Sequence, residues 1–409
     1  MSSNLTHSVT VGEISPSSNH ARSLAPRLGT ALLGRIVLNT SRRMMYTFAP
    51  AFSRGLGVPL TSITSLIALN QASGLTGPIF GSLGDRWGYR TVMLAGLSVL
   101  SLSLLLGGFF PVYGVMVIVL CLSGLAKTAF DPSLQAYVGA RVPYERRGLA
   151  MGVIEMAWAS SALVGVPLVG LLIDFAGWRA PLFVLGGLAA AAALGIALIF
   201  PSSSRDRSSV DQMSQRLGDL WRELTRSRTA LGALLFSALV CVANDMVFVM
   251  YGAWLESGFG LKIVAVGAAT TVIGVAELSG ESLTALLADR IGLARAAVIG
   301  GVLSALSYLL LLVVGDSLVG ALVCLFVIFV TFEFAIVASF SLFTEILPGA
   351  RATLLSSNMA ALSLGRMVGA LAGGALWVSF GLAGTSIAAA VFSCLGVLSL
   401  VWAVRHWGS

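Results

Sequence analysis

The chain contains 409 residues, of which 57% are hydrophobic and only 11% are charged. A soluble domain carries about a quarter charged residues, so this composition excludes an ordinary soluble protein. The formal net charge is +7, and most basic residues fall between the apolar runs. Such a distribution is typical of membrane topology and gives no reason to expect a nucleic-acid partner.

Twelve apolar runs are each long enough to cross a bilayer core of about 30 Å. Lipid offers backbone groups no hydrogen-bond partner, so each run should be a helix. We therefore predict an all-α membrane protein with twelve transmembrane helices. They lie at about 30–51, 61–83, 91–110, 112–139, 148–173, 180–200, 229–255, 264–288, 295–315, 317–346, 352–379 and 383–404.

Polar segments divide these helices into two bundles. The predicted units are a cytosolic N-terminal tail at 1–28, six-helix bundles at 29–200 and 229–404, a cytosolic linker at 201–228 and a cytosolic C-terminal tail at 405–409. With both ends in the cytosol, seventeen of the 25 Lys and Arg residues lie on the cytosolic side and three lie outside. This asymmetry predicts cytosolic termini. The first segment has no apolar core, so we expect no cleaved signal peptide.

Polar residues on the first helix form a stripe. Arg35, Asn39, Arg42 and Tyr46 recur at steps of four, three and four residues and therefore share one face. A charge at mid-membrane costs about 2.5–3.5 kcal/mol, so buried arginines need an anionic partner or ligand, and the guanidinium fork fits a carboxylate or a phosphate. We predict that the stripe lines a substrate cavity. Alternatively, Arg35 reaches the cytosolic interface from the start of the span.

A short charged loop separates the second and third predicted helices. It matches the pattern G-x-L-x-D-R-x-G-x-R at every specified position, namely Gly81, Leu83, Asp85, Arg86, Gly88 and Arg90. The loop resembles the one that joins the second and third helices in the major facilitator superfamily. This resemblance implies a secondary transporter that works by alternating access and uses the loop as a cytosolic gate. Positive-inside anchoring explains the arginines without a gate, but it does not explain Asp85.

Charges continue on the fourth and fifth helices. Lys127 and Asp131 are four residues apart, which suits an internal ion pair, and Asp131 is also a candidate for the substrate cavity. Glu155 is a predicted proton carrier, because ionisable side chains within spans mark ion and proton pathways. Gly165 and Pro167 belong to a stretch that resembles the fifth-helix motif of drug–proton antiporters. The glycine permits close helix packing, and the proline bends the helix.

The second half carries further acids within its spans. Asp245 on the seventh helix and Glu333 on the tenth helix are predicted to face the cavity. Glu277 and Glu281 are four residues apart on the eighth helix, and like charges at this spacing repel, which favours a proton on one of them. The fifth and eighth helices are neighbours in the superfamily. The resemblance therefore implies that Glu155, Glu277 and Glu281 carry protons together.

The eleventh helix combines a charge with small residues. Arg366 is a cavity candidate that could pair with a carboxylate of the other half. Gly365 and Gly369 flank it at the four-residue spacing that lets helices approach closely. Between the halves, residues 210–226 have the pattern of an amphipathic surface helix, although a simple tether explains this linker equally well.

Sequence landmarks recur at an offset of 204 residues. The loop motif at 85–88 returns at 289–292, where Asp289 and Arg290 repeat the acid and the first arginine. Six helices in each half give both halves the same membrane orientation, so we predict two six-helix parallel repeats, which is the major facilitator fold. The resemblance implies that Asp289 and Arg290 belong to the cytosolic gate.

We expect a secondary active transporter that moves a small or amphiphilic molecule, and we favour proton-coupled efflux by antiport. Proton-coupled uptake and lipid or amphiphile flipping are the alternatives, and a receptor or scaffold without transport is the alternative from another class. The sequence contains no GxxxxGK[ST] loop and no nucleophile–base or metal constellation, so we expect no enzyme, no cofactor and no metal. The expected partners are substrate, protons and membrane lipid, for a monomer in a bacterial plasma or inner membrane.

Overall fold

The computed structural model describes residues 18–77, 84, 86–142, 144–201, 225–346 and 351–405, and the regular structure of these residues is entirely helical. The all-α prediction is therefore confirmed for this part of the chain. The helices are α1 (Ser18–Thr47), α2 (Ala49–Leu56), α3 (Leu60–Ala72), α4 (Tyr89–Phe109), α5 (Tyr113–Arg141), α6 (Tyr144–Ser160), α7 (Val166–Ala176), α8 (Ala180–Ile199), α9 (Arg228–Phe248), α10 (Tyr251–Phe259), α11 (Ile263–Ile291), α12 (Leu293–Val314), α13 (Leu318–Ile346) and α14 (Arg351–Val404).

Nine helical segments within the described ranges are long and apolar enough to cross a membrane, and the bent pair α2–α3 makes ten. The last of the nine lies within α14, which has 54 residues and would be about 80 Å long if it were straight. Its backbone leaves helical geometry at Gly381, where φ is 60° and ψ is −149°. This break lies between the eleventh and twelfth predicted helices.

The first helix is longer than the sequence pattern predicts. It begins at Ser18, whereas the predicted tail extends to residue 28. Hydropathy marks where lipid begins, and a helix does not have to end there. The side chain of Arg27 donates a hydrogen bond of 3.3 Å to the carbonyl oxygen of Ile199, at the end of α8, so this part of α1 is attached to the N-terminal bundle.

Six glycines with positive φ reveal the internal repeat in the backbone. Gly88 and Gly292 have φ values of 85° and 89° and precede α4 and α12. The pair Gly57 and Gly260 has φ values of 66° and 64° and ends α2 and α10. The third pair is Gly177 and Gly381, with φ values of 82° and 60°. All three pairs are 203 or 204 residues apart, which supports the predicted two-fold repeat.

Small residues bring the helices close together, as the four-residue spacing predicts. A Cβ atom added to Gly369 would lie 2.7 Å from the carbonyl oxygen of Val242 on α9. One added to Gly365 would collide with Ala238 on the same helix, and one at Gly165 would collide with Thr40 on α1. These glycines therefore lie where helices approach closely, which agrees with the predicted packing role.

The fifth predicted span is continuous but irregular. A π-helical turn at Ser161–Gly165 joins α6 to α7, directly before Pro167. Proline has no N–H group and cannot donate the usual bond to the preceding turn, which explains why the helix widens here. The sequence predicted a bend at Pro167, and the structure shows a wide turn directly before this residue.

The two halves contact each other most extensively where α7 packs against α11 and α3 packs against α14. Near the middle of the molecule, α1 gives way to α2 at Phe48, and α9 gives way to α10 at Val249 and Met250. These breaks lie at nearly equivalent positions of the repeat. They place charged side chains of both halves around one central indole.

Candidate functional site

Basic side chains converge on Trp158 of α6. The guanidinium carbon of Arg43 lies 3.9 Å from the centroid of the indole. Arg42, Lys127 and Arg366 lie 5.9, 5.6 and 5.7 Å from it, measured from the guanidinium carbons and the ammonium nitrogen. An aromatic face attracts cations at these distances. Three of the four cations belong to the N-terminal half and Arg366 belongs to the C-terminal half, so the indole lies where the halves meet.

A buried ion pair links the two halves beside this ring. Arg43 Nη2 lies 2.6 and 2.7 Å from the two carboxylate oxygens of Glu277 on α11. The indole Nε1 of Trp158 donates to the same carboxylate over 3.0 Å. The side chains of Arg43 and Glu277 are only 1% and 2% exposed. In such a site a charge that loses its partner is costly, so these two residues hold each other in place.

A second charged network lies within the N-terminal half. Arg35 binds Glu155 of α6 through two hydrogen bonds of 3.0 and 2.9 Å, and its Nε lies 3.3 Å from Asp131. Lys127 donates to Asp131 and to Asn39, each over 2.6 Å. The predicted Lys127–Asp131 ion pair is confirmed. Arg35 is 5% exposed, so its acidic partners, and not the membrane interface, account for its position.

Polar side chains also join α1, α3 and α9. The hydroxyl group of Tyr46 donates to Asp245 over 3.0 Å and accepts a hydrogen bond from Gln71. Arg42 in turn donates to the amide oxygen of Gln71. Asp245 is fully buried, and its second carboxylate oxygen has no hydrogen-bond partner in the described residues. This chain of contacts connects a first-helix arginine to an acid of the opposite half.

The other acids predicted within the C-terminal spans, Glu281 and Glu333, lie on the same helix as Glu277 or on a helix beside it. Glu333 on α13 is 8% exposed, and its Cβ lies 2.6 Å from the position that a Cβ at Gly280 would occupy. Glu281 is half-buried one turn beyond Glu277. Neither Glu281 nor Glu333 forms an ion pair with another described residue. Three of the sequence-predicted acids are thus collected on α11 and α13.

The two ends of the central charged region differ. At one end, Arg54 lies 2.5 Å from Glu256 of the opposite half, and Thr47 is hydrogen-bonded to Tyr251. Thr47 and Tyr251 are 204 residues apart in sequence, so each touches its own repeat equivalent. Toward the other end of α1, the side chain of Glu155 is 47% exposed. Contacts between the halves therefore lie at the end that carries Arg54, which we call the closed end.

The predicted gate residues are only partly described. Gly81 and Asp85 lie outside the described residues. Gly88 has the positive φ of a tight turn, and Arg90 donates to the carbonyl oxygen of Ala197 in its own half over 2.5 Å. Arg86, Asp289 and Arg290 are exposed and form no ion pair within the described part of the chain. A latch between the halves thus remains a prediction.

Sequence reasoning found the charges but missed most of their partners. Trp158 donates to Glu277 and lies beneath Arg43, a role that its isolated position in the sequence did not indicate. Tyr46 belongs to the predicted first-helix stripe, but its hydrogen bond to Asp245 was not predicted. The Thr47–Tyr251 contact could have been found from the repeat offset.

Comparisons with known proteins agree with this architecture. The model of the Major Facilitator Superfamily matches residues 31–251, more than half of the chain. An uncharacterised transporter of this type from Bacillus subtilis, YceJ, is 28% identical over 302 residues, covering 74% of this chain and 76% of that protein. A homologue of the multidrug resistance efflux pump PmrA from Lactococcus lactis is 24% identical over 289 residues, covering 68% and 70%. The structure of the nucleoside transporter NupG superposes with a TM-score of 0.76 at 15% identity, covering 93% and 100% of the two chains.

Proposed function

Because this chain belongs to the Major Facilitator Superfamily and is a secondary transporter, we propose that it exports a small or amphiphilic molecule in exchange for protons. The observation that carries the proposal is the buried Arg43–Glu277 pair, which ties α1 to α11 across the two halves. Relatives that include a multidrug efflux pump homologue support export as the direction.

The ion pair gives protons a means of acting on the cavity. A proton on Glu277 removes the negative charge that holds Arg43 and weakens the contact between the halves. Glu281, one turn away, could exchange this proton with Glu277. A proton on Glu155 would weaken its contact with Arg35 in the same way. The halves could then rock about the cavity, which is how alternating access operates in this architecture.

We also propose the topology that the basic residues predict. Counting α1–α2 and α3 as spans and dividing α14 at Gly381 adds three crossings to the nine apolar segments, which gives twelve. Both termini would then be cytosolic in a bacterial membrane, and the closed end with Arg54 would face outward. In this arrangement the described structure is open toward the cytosol, and the latch of Asp85, Arg86 and Arg90 would form only in the opposite state.

Transport in proteoliposomes tests the proposal. Purified protein is reconstituted with a pH gradient of either sign, and the movement of ethidium and of naphthoate, a cationic and an anionic probe, is followed. Antiport predicts accumulation against the proton flow, which should be lost in Glu277→Gln while exchange without a gradient persists. Gradient-independent movement of both probes, or unchanged coupling in Glu155→Gln, Glu277→Gln and Glu281→Gln, would exclude the assignment.

Proton-coupled uptake is the second candidate, because Arg42 and Arg366 form no ion pair in the described residues. Two such arginines favour an anion as substrate, and protons on the neighbouring acids would strengthen anion binding. Protons and anion would then move together. Accumulation of naphthoate in the direction of the proton flow would select this candidate over antiport.

A further inference from the structure

We propose that the substrate carries a carboxylate or phosphate group, and that Arg42 and Arg366 bind this anion from opposite halves beside Trp158. This inference rests on the proposed function only in taking the central cavity as the transport site. It names the substrate class, which neither the family nor the relatives specify.

Arg42 and Arg366 differ from the other cations of the spans in their ion pairs. Arg35, Arg43 and Lys127 each have a carboxylate within 3.3 Å. Arg42 has none within 4 Å, and its hydrogen bond goes to the neutral amide of Gln71. Arg366 also lacks an ion pair among the described residues. These two guanidinium groups therefore retain N–H donors for a ligand.

Arg42 and Arg366 also lie close to a common point between the two halves. The guanidinium carbons of Arg42 and Arg366 lie 5.9 and 5.7 Å from the same indole centroid. Arg42 comes from α1 and Arg366 from α14, so an anion held by both would contact both halves of the protein. A ligand that bridges the halves is placed to respond to their relative movement.

Each charge in a membrane interior is costly, and the two guanidinium groups also repel each other. The carboxylate of Asp245 attracts both guanidinium groups, but it accepts its hydrogen bond from the hydroxyl group of Tyr46. Glu333 attracts Arg366 electrostatically but does not form an ion pair with it. An anionic ligand would offset this cost through charge-assisted, bidentate hydrogen bonds, which the guanidinium fork forms with carboxylate and phosphate.

Trp158 adds an apolar surface beside the proposed anion site. Arg43 already lies over this ring at 3.9 Å. Only the part of the indole that Arg43 leaves uncovered can contact a ligand. An aromatic acid could contact the remaining edge while its carboxylate reaches Arg42 and Arg366. Aromatic anions are therefore the appropriate probes, with a cation and a neutral alcohol on the same ring as controls.

The test is binding to the full chain purified in a neutral detergent, measured by calorimetry and by the shift in thermal unfolding. The probes are naphthoate, naphthyl phosphate, naphthylmethylammonium and naphthylmethanol. We expect both anions to bind at least ten-fold more tightly than the cation and the alcohol. A phosphatidate arm distinguishes the source of the anion: binding of phosphatidate but not of the soluble anions would assign a lipid headgroup and would leave the anion chemistry in place.

Variants connect binding to the two arginines. Arg42→Gln and Arg366→Gln should each weaken anion binding by about 10- to 100-fold, as expected for loss of a hydrogen bond to a charged group. Arg42→Lys and Arg366→Lys keep the charge and should recover part of the affinity, which shows that the loss does not come from misfolding. Arg228→Gln removes an exposed charge at the start of α9 and should bind like the wild type.

Three results would overturn the inference: no binding of any anion, tighter binding of naphthylmethylammonium, or wild-type affinity in both glutamine variants. Binding is measured without a gradient, so its outcome is separate from that of transport. Coupled movement of ethidium without anion binding would leave the transporter proposal intact and remove only the anion. Anion binding without any coupled flux would leave the anion site intact and remove the proposal of proton-coupled transport.

Discussion

The Arg43–Glu277 pair shows how much one buried residue can control. Both side chains are almost completely removed from solvent, and the carboxylate is further held by Trp158. By contrast, Arg54 and Glu256 form a pair whose arginine side chain is 57% exposed. Exposed pairs contribute little because water and salt screen them. The two pairs provide a matched comparison across the same two halves.

Glu277→Ala should lower the free energy of unfolding by about 3–5 kcal/mol, because it leaves Arg43 buried without a partner. Arg54→Ala should cost about 1 kcal/mol or less. Unfolding of the purified proteins in detergent measures both changes. Replacing both members in Arg43→Met/Glu277→Met should recover much of the lost stability, since no charge is then left unpaired. Equal stability of Glu277→Ala and the wild type would contradict this account of the pair.

At this scale the sequence predicted residue types well and partners poorly. The Lys127–Asp131 pair was predictable because both residues lie on one helix, where a spacing of four residues fixes their proximity. The Arg43–Glu277 pair joins residues 234 positions apart, and no local spacing encodes it. The cost of a charge in lipid predicts that a partner exists, but only the packing of the helices selects which acid it is.

At the scale of helices, glycines determine how closely the spans pack. Gly369 lies on α14 against α9, where an added Cβ would be 2.7 Å from the Val242 carbonyl oxygen and 2.9 Å from the Cβ of Asp245. The same contact therefore sets the position of Asp245, one of the acids near the proposed anion site. Gly187 in α8 offers a control, because an added Cβ there would meet nothing within 4 Å.

Gly369→Ala should destabilise the protein by about 1–3 kcal/mol, since it overpacks a tight helix contact. Gly187→Ala should stabilise it by about 0.5–1 kcal/mol, because alanine loses less entropy than glycine in a helix. Thermal unfolding in detergent would measure the difference. A stabilised Gly369→Ala protein would show that α9 and α14 can separate without cost.

Helix boundaries were less predictable than helix identity. The break at Gly381 lies between two predicted spans, where sequence and structure agree. The start of α1 at Ser18 and the π-helical turn before Pro167 were not predicted. Hydropathy reports contact with lipid, and it carries no information on a helix that continues into water or on the width of one turn.

At the scale of the whole molecule, the repeat organises both fold and function. The contact of Thr47 with its repeat equivalent Tyr251 places the symmetry axis between α1 and α10. The Arg43–Glu277 pair lies one turn from this axis along α1, on the side away from Arg54. Thr47, which contacts Tyr251 near the closed end, therefore lies one turn from Arg43 on α1. Loss of the pair should act on the closed end directly.

The most direct test of this account is the distance between the halves at the closed end. Spin labels at Val112 and Asp316, which are exposed and belong to opposite halves, can be introduced after the four cysteines are replaced, and double electron–electron resonance then gives the distance distribution. We predict that Glu277→Gln, which imitates the protonated acid, shifts the distribution toward longer distances at neutral pH. Acidification should shift the wild type in the same direction and leave Glu277→Gln unchanged. Identical distributions for wild type and variant at every pH would contradict the claim that this ion pair couples protons to the movement of the halves.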